Sequence, residues 1–147
     1  MTGIRVVAVG KLKERFYIDA CAEYLKRLGG YCRAEVIELP EKGIEKDAAE
    51  IRKAIPDGAY TIAMCIEGEM LSTTELASKL SALETSGRSR FCFVIGGSDG
   101  MSQEIKDQAD LCLSMSRMTF PHHFARVMVL EQIYRAYSIM NNGKYHK

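Results

Sequence analysis

No uncharged run in this chain is longer than a strand, so nothing in it is expected to span a bilayer. Repeats, low-complexity tracts and linker-like stretches are missing as well. The five cysteines, Cys21, Cys32, Cys65, Cys92 and Cys112, are odd in number and never fall in a C-x-x-C spacing. Three of them lie inside apolar runs, where a cysteine serves as a small buried hydrophobe. A disulfide scaffold or zinc ribbon does not fit that pattern, whereas a reduced, cytoplasmic protein does. The opening residues, Met1-Thr-Gly-Ile-Arg-Val-Val-Ala-Val9, run straight into strand-like sequence without the regions of a secretory signal.

Acid is scarce at one end. From Leu111 onward Arg117, Arg126, Arg135, Lys144 and Lys147 face a single carboxylate, Glu131. All three histidines, His122, His123 and His146, lie in the same segment. The net charge of +1 therefore hides a polarised molecule, whose positive end can recruit an anionic partner. At 147 residues, residues 1–147 are most simply one domain, long enough for a substantial core.

What is present alternates. Ile4–Val9, Ala34–Leu39, Tyr60–Ile66, Arg90–Ile95 and Leu111–Met115 read as strands, most of them continuously apolar. Such runs suit strands covered on both faces, as in a parallel sheet between helices. Helical spacing marks Glu14–Leu28 and Ser72–Ser86, with Ile44–Ala54 weaker and Ser102–Gln108 short. Ser72-Thr-Thr-Glu75 predicts a capping box, and Gly87 stands where a left-handed residue ends that helix. A last helix opens at Pro121, is expected to bury Phe124, Val127, Leu130, Tyr134 and Tyr137, and ends at Asn141-Asn-Gly143. The sum is an α/β domain of the doubly wound kind.

In such a sheet ligands bind beyond the carboxyl ends of the strands. Three segments leave those ends: Glu67-Gly-Glu-Met70, Gly96-Gly-Ser-Asp-Gly100, and Ser114-Met-Ser-Arg-Met-Thr-Phe120. The glycine segment matches neither phosphate-binding pattern, and taken alone it is a tight strand-to-helix turn. Asp99 would repel a phosphate, so an uncharged or cationic ligand suits it better. His122 and His123 diverge by about 100° on a helix, and no metal is expected there. On chemistry alone they serve equally as first-turn polar residues or as catalytic groups. Tyr134 and Tyr137 suit a core; Tyr145 suits either a core or a base-stacking platform.

Three stretches together carry a resemblance: Ala8-Val-Gly-Lys-Leu-Lys-Glu14, Phe93-Val-Ile-Gly-Gly-Ser-Asp-Gly100, and the C-terminal region. The last comprises Met118-Thr-Phe-Pro-His122, Arg126-Val, Glu131-Gln-Ile-Tyr-Arg-Ala136 and Tyr145-His-Lys147. The chain resembles the ribosomal RNA large subunit methyltransferase H family, small SPOUT-class enzymes that methylate N3 of a pseudouridine in 23S ribosomal RNA. The resemblance spans essentially the whole length. It implies a mostly parallel sheet flanked by helices, a C-terminal trefoil knot, a homodimer, and a substrate RNA within an assembled ribosome. It further implies S-adenosylmethionine, held by Met64, Gly96 and Met115, Ser116, Arg117, Met118, Thr119 and Phe120. His122 would orient or deprotonate the base, and Arg126 and Arg117 would hold RNA phosphate or developing charge. Tyr145 and His146, reaching from the partner subunit, would complete the nucleobase pocket. Two residues depart from the family pattern: Cys65 where an acid is common, and His123 where glutamine or proline is frequent. The chain is also short around Pro40–Asp57. The rival readings are a non-catalytic ribosome- or RNA-binding module, told apart by donor binding, and a flavodoxin-like nucleotide protein, told apart by a flavin spectrum.

Overall fold

A computed structural model describes all residues, Met1–Lys147. Five parallel strands, β1 (Gly3–Val9), β2 (Arg33–Leu39), β3 (Tyr60–Met70), β4 (Arg90–Ile95) and β5 (Leu111–Ser114), form one sheet in the order β2-β1-β4-β3-β5. Between and after them come α1 (Arg15–Leu28), α2 (Ile44–Ala54), α3 (Thr73–Thr85), α4 (Gln103–Gln108) and α5 (His122–Met140). Alternate side chains of a strand face opposite sides, so two cores follow. Ile4, Val6 and Ala8 of β1 and Phe91, Phe93 and Ile95 of β4 point to the side of α1, α3 and α5. Val7 and Val9, with Cys92 and Val94, point to the side of α2 and α4. Complete burial of side chains such as Phe93 or Ile62 contributes about 1.5–3 kcal/mol each, the main reason the continuous apolar runs become inner strands.

Local signals behave as their chemistry requires. Ser72 accepts from Glu75 N–H while the Glu75 carboxylate accepts from Ser72 N–H, closing the capping box before α3. Gly87 follows α3 with φ of 104°, a conformation that only glycine adopts freely. Pro121 sits one residue earlier than the sequence suggests: it is the N-cap, in extended conformation, and α5 begins at His122.

Two expectations change. The segment Glu67–Met70 is not a loop. After an irregularity between Met64 and Glu69, β3 continues and pairs Glu69 with Leu113 and Met70 with Ser114. The buried stripe of α5 is also rotated. Leu130 and Tyr137 are buried and Val127 and Tyr134 half-buried, but Phe124 is 44% exposed. The helix also buries Arg126, Val129, Ile133 and Ala136, because it packs against both α1 and α3 and carries a cation inward. No helix is long and apolar enough to cross a membrane.

Candidate active site

At the carboxyl ends of β3, β4 and β5 the chain encloses a cavity of about 270 Å³, near the lower end for small-molecule sites. Met64 to Glu67 line it from β3, Gly96, Gly97 and Gly100 from the turn after β4, and Ser114 to Ser116 from the end of β5. Met118, Thr119, Phe120 and His122 line it from the segment that leads into and begins α5. Of the donor-binding residues expected from the sequence, Arg117 alone does not line the cavity; it is exposed. Ser116 shapes the last loop, its hydroxyl accepting from Met118 N–H at 3.0 Å while its carbonyl accepts from Ser114 at 3.0 Å. Lys106 reaches in from α4 and is ion-paired to Glu67, which raises the lysine pKa and lowers that of the carboxyl. Cys65 is a thiol pushed up to about 12 by burial and by neighbouring Cys112. It remains uncharged at neutral pH.

Gly68 shows how tightly this wall is built. A Cβ there would fall 2.7 Å from the carbonyl carbon and oxygen of Cys112, backbone of the adjacent strand. Gly68→Ala must prise β3 from β5, and overpacking of this kind costs about 1–3 kcal/mol. We expect a lower denaturation midpoint together with weaker binding of any ligand in the cavity. An unchanged midpoint would show that the two strands separate freely.

Beside the cavity, the first turn of α5 is surrounded by carboxylates. His122 Nε2 lies 4.0 Å from Glu41, and His123 Nδ1 lies 3.8 Å from Glu14. The two imidazoles are 4.2 Å apart at their centroids and both Nε2 atoms turn toward Gly10, which has φ of 104° at the end of β1. A side chain at 10 would press on both rings. His123 Nε2 is buried without a hydrogen-bond partner. Burial first, then the neighbouring His123, hold the His122 imidazole below its ordinary value of 6.5; Glu41 opposes this and Arg126 adds to it. His122 is therefore neutral at pH 7 and able to accept a proton.

Arg126 is where the structure departs most from the sequence reading. It is 1% exposed, donating to Glu38 at 2.6 Å and to the Gly10 carbonyl at 2.7 Å. A guanidinium sequestered in that way ties α5 to the ends of β1 and β2 and does not reach a phosphate. Its distance from the surface follows from the rotation of α5 described above.

Tyr145 and His146 stand apart from the cavity of their own chain. Tyr145 donates to Glu131 at 2.9 Å and packs on Tyr134, while His146 Nδ1 lies 3.2 Å from Arg135. Glu131 and Arg135 are nine and thirteen residues beyond His122, about 13 and 20 Å along a helix. The Tyr145 phenol is pushed up to about 12, first by Tyr24, then by its partial burial and Glu131. It is a neutral hydroxyl, suited to hydrogen bonding and stacking. No three His, Cys, Asp or Glu side chains converge as a metal site would require.

Glu14, Glu38 and Glu41 were not singled out from the sequence. Glu38 is the penultimate residue of β2 and Glu41 follows its carboxyl end, so the rule used for β3, β4 and β5, applied to β2, would have flagged them.

Comparison with known proteins agrees with this arrangement. The family profile described as "Predicted SPOUT methyltransferase" matches residues 2–146. The chain is 40% identical to "Ribosomal RNA large subunit methyltransferase H" of Listeria monocytogenes serotype 4a (strain HCC23), over 98% of this chain and 99% of that one. The protein of the same name from Clostridioides difficile (strain 630) is 43% identical at the same coverage. Among solved structures, a probable methylase family protein from Haemophilus influenzae Rd KW20 superposes with a TM-score of 0.59 at 14% identity, covering 98% of this chain and 70% of that one. The SpoU methyltransferase AviRb from Streptomyces viridochromogenes, solved with AdoMet, gives 0.50 at 13% identity, covering 96% and 61%. The structures establish the shared architecture, the near full-length relatives establish the lineage, and the chain belongs to the SPOUT methyltransferase family, in its ribosomal RNA large subunit methyltransferase H branch.

Proposed function

We propose that this chain is a cytoplasmic enzyme that moves a methyl group from S-adenosylmethionine to N3 of a pseudouridine in 23S ribosomal RNA, acting as a knotted homodimer on an assembled ribosomal particle. The observation that carries the reading is one cavity gathering the ends of three strands, with a neutral imidazole on its wall. When bound, S-adenosylmethionine supplies a methyl group on a positively charged sulfur. The lining suits such a molecule. Met64, Ile95, Leu113, Met115 and Phe120 offer apolar walls for an adenine, and the turns at Gly96 and Ser114 offer backbone groups for polar edges. Lys106, the only lysine or arginine in the lining, is neutralised by Glu67, so no free cation opposes a sulfonium.

Methylation at a ring nitrogen releases its proton. His122 supports the role of acceptor because it lines the cavity and is uncharged. Placing the nitrogen in line with the methyl group supplies much of the rate, which gives the surrounding loops a positioning task. The distance of Tyr145 and His146 from their own cavity supports action in the partner's site. Exposed Phe16 and Phe124, tilted and edge-on against Tyr17, offer an apolar patch beside His123 for that pairing. A net charge of +1 gives little attraction for naked RNA, which favours a preformed particle recognised by shape.

Calorimetry with S-adenosylmethionine should show one saturable site per chain. Labelled donor and ribosomes from a methylation-deficient strain should then place the label on one pseudouridine. Mixed dimers of His122→Ala and Tyr145→Ala chains should recover one working site of two if the tail acts across the interface. Absence of donor binding would leave an RNA-binding module on the same fold, and label elsewhere in the RNA would overturn the target.

A further inference from the structure

Glu41 stands on the loop after β2, outside every segment that forms the cavity, yet it touches two of that cavity's parts. Its Oε2 accepts from the backbone N–H of Ser98 at 2.8 Å and from the Ser98 hydroxyl at 2.6 Å. Oε1 of the same carboxylate lies 4.0 Å from His122 Nε2. Gly97, which lines the cavity, lies so close to the carboxylate that a Cβ there would fall 2.5 Å from Glu41 Oε2 and would displace it. The turn it belongs to is closed by Gly100 N–H donating to the Gly97 carbonyl at 3.0 Å. One carboxylate therefore holds the glycine turn from outside and faces the imidazole.

We propose that Glu41 is a positioning residue, a clasp that fixes the glycine turn through Ser98 and orients His122, so that donor loop and proton acceptor keep one geometry. This rests on the methyltransferase reading above. An ionised carboxylate binding both donors of one serine is stronger than a neutral pair, although a third of this side chain is open to water. Ser98 draws the carboxyl below its ordinary value of 4.5, with His122 and His123 adding to the effect, so the clasp is charged throughout the neutral range.

The other groups facing His122 are His123 and Arg126 from its own helix, with Glu14 from the start of α1 and Glu38 from β2 one step further out. Glu41 is the nearest negative charge among them, and it stabilises the imidazolium. Removing its charge must lower the imidazole pKa further, so the acid limb of kcat moves to lower pH.

The two contacts can be separated. Glu41→Gln keeps an acceptor for Ser98 but loses the charge, so it should move the pH profile with donor KM within about twofold. Ser98→Ala should raise donor KM by roughly three- to tenfold, the scale of one hydrogen bond to a charged group that is partly open to water, and leave the profile in place. Glu41→Ala should do both, and Glu41→Asp should restore part of each. Donor binding by calorimetry on every variant separates the failures. A wild-type chain that binds no donor ends the methyltransferase reading. A wild-type chain that binds it, while Glu41→Ala matches it in both KM and pH profile, ends this one.

Discussion

His122→Ala should slow methyl transfer by about 100- to 10,000-fold, the range for removing a positioned acid–base group, while donor affinity changes only a few-fold. The imidazole forms part of the cavity wall but stands at the first residue of a helix with 28% of its side chain exposed, so its loss does not threaten the core. The pH dependence gives a second check. A base works in its neutral form, and the folded protein holds His122 below 6.5. Wild-type kcat should therefore stay level from neutral pH past 6.5 and fall only below it, and the alanine variant should lack that fall. Near-wild-type turnover in His122→Ala would discard the proton-acceptor role and leave positioning alone to account for the rate.

Arg126→Ala should cost about 3–5 kcal/mol of stability, the range for removing one partner of a buried ion pair, or on the order of 10 °C in Tm. The value belongs at the lower end, because 34% of the Glu38 side chain is open to water. The variant also orphans the Gly10 carbonyl and leaves a hole beside the core. Arg126→Met refills that hole without the charge and should recover part of the loss. The sign with pH is fixed by Glu38. Burial pushes its carboxyl up, but Leu12 N–H and Arg126 outweigh that and bring it below 4.5. The pair thus contributes in full above 4.5 and fades as pH falls through the lowered value, so the two chains should converge in acid. A denaturant midpoint within error of wild type at pH 7 would show that Arg126 is not the tie described here.

Much of the fold is legible in the residues because burial on both faces leaves a plain mark: continuous Val, Ile, Phe and Cys at β1, β3 and β4. Caps are equally legible, since Ser72 and Gly87 act through their immediate neighbours. The extension of β3 to Met70 was hidden, because Glu67, Gly68 and Glu69 carry no strand pattern and their pairing is imposed by β5 across the sheet. The cavity's loops were found by combining strand ends with unusual composition. Arg126 was misplaced for an instructive reason. An arginine near the start of a helix in a basic segment reads as a group for phosphate or developing charge, and its partner Glu38 lies 88 positions away in sequence. No local signal links the two. Glu41 was missed on similar grounds: its partners are Ser98 and His122, brought near only when β2 and β4 settle either side of β1.

Glu38 and Glu41, two of the three carboxylates around the histidine turn, depend on β2, a border strand whose residues are mostly half covered or open. Segments with few buried apolar contacts open locally at a lower free-energy cost than the interior of a sheet. Gentle heat would then silence the enzyme while its spectrum still looked native, and cooling would bring the activity back.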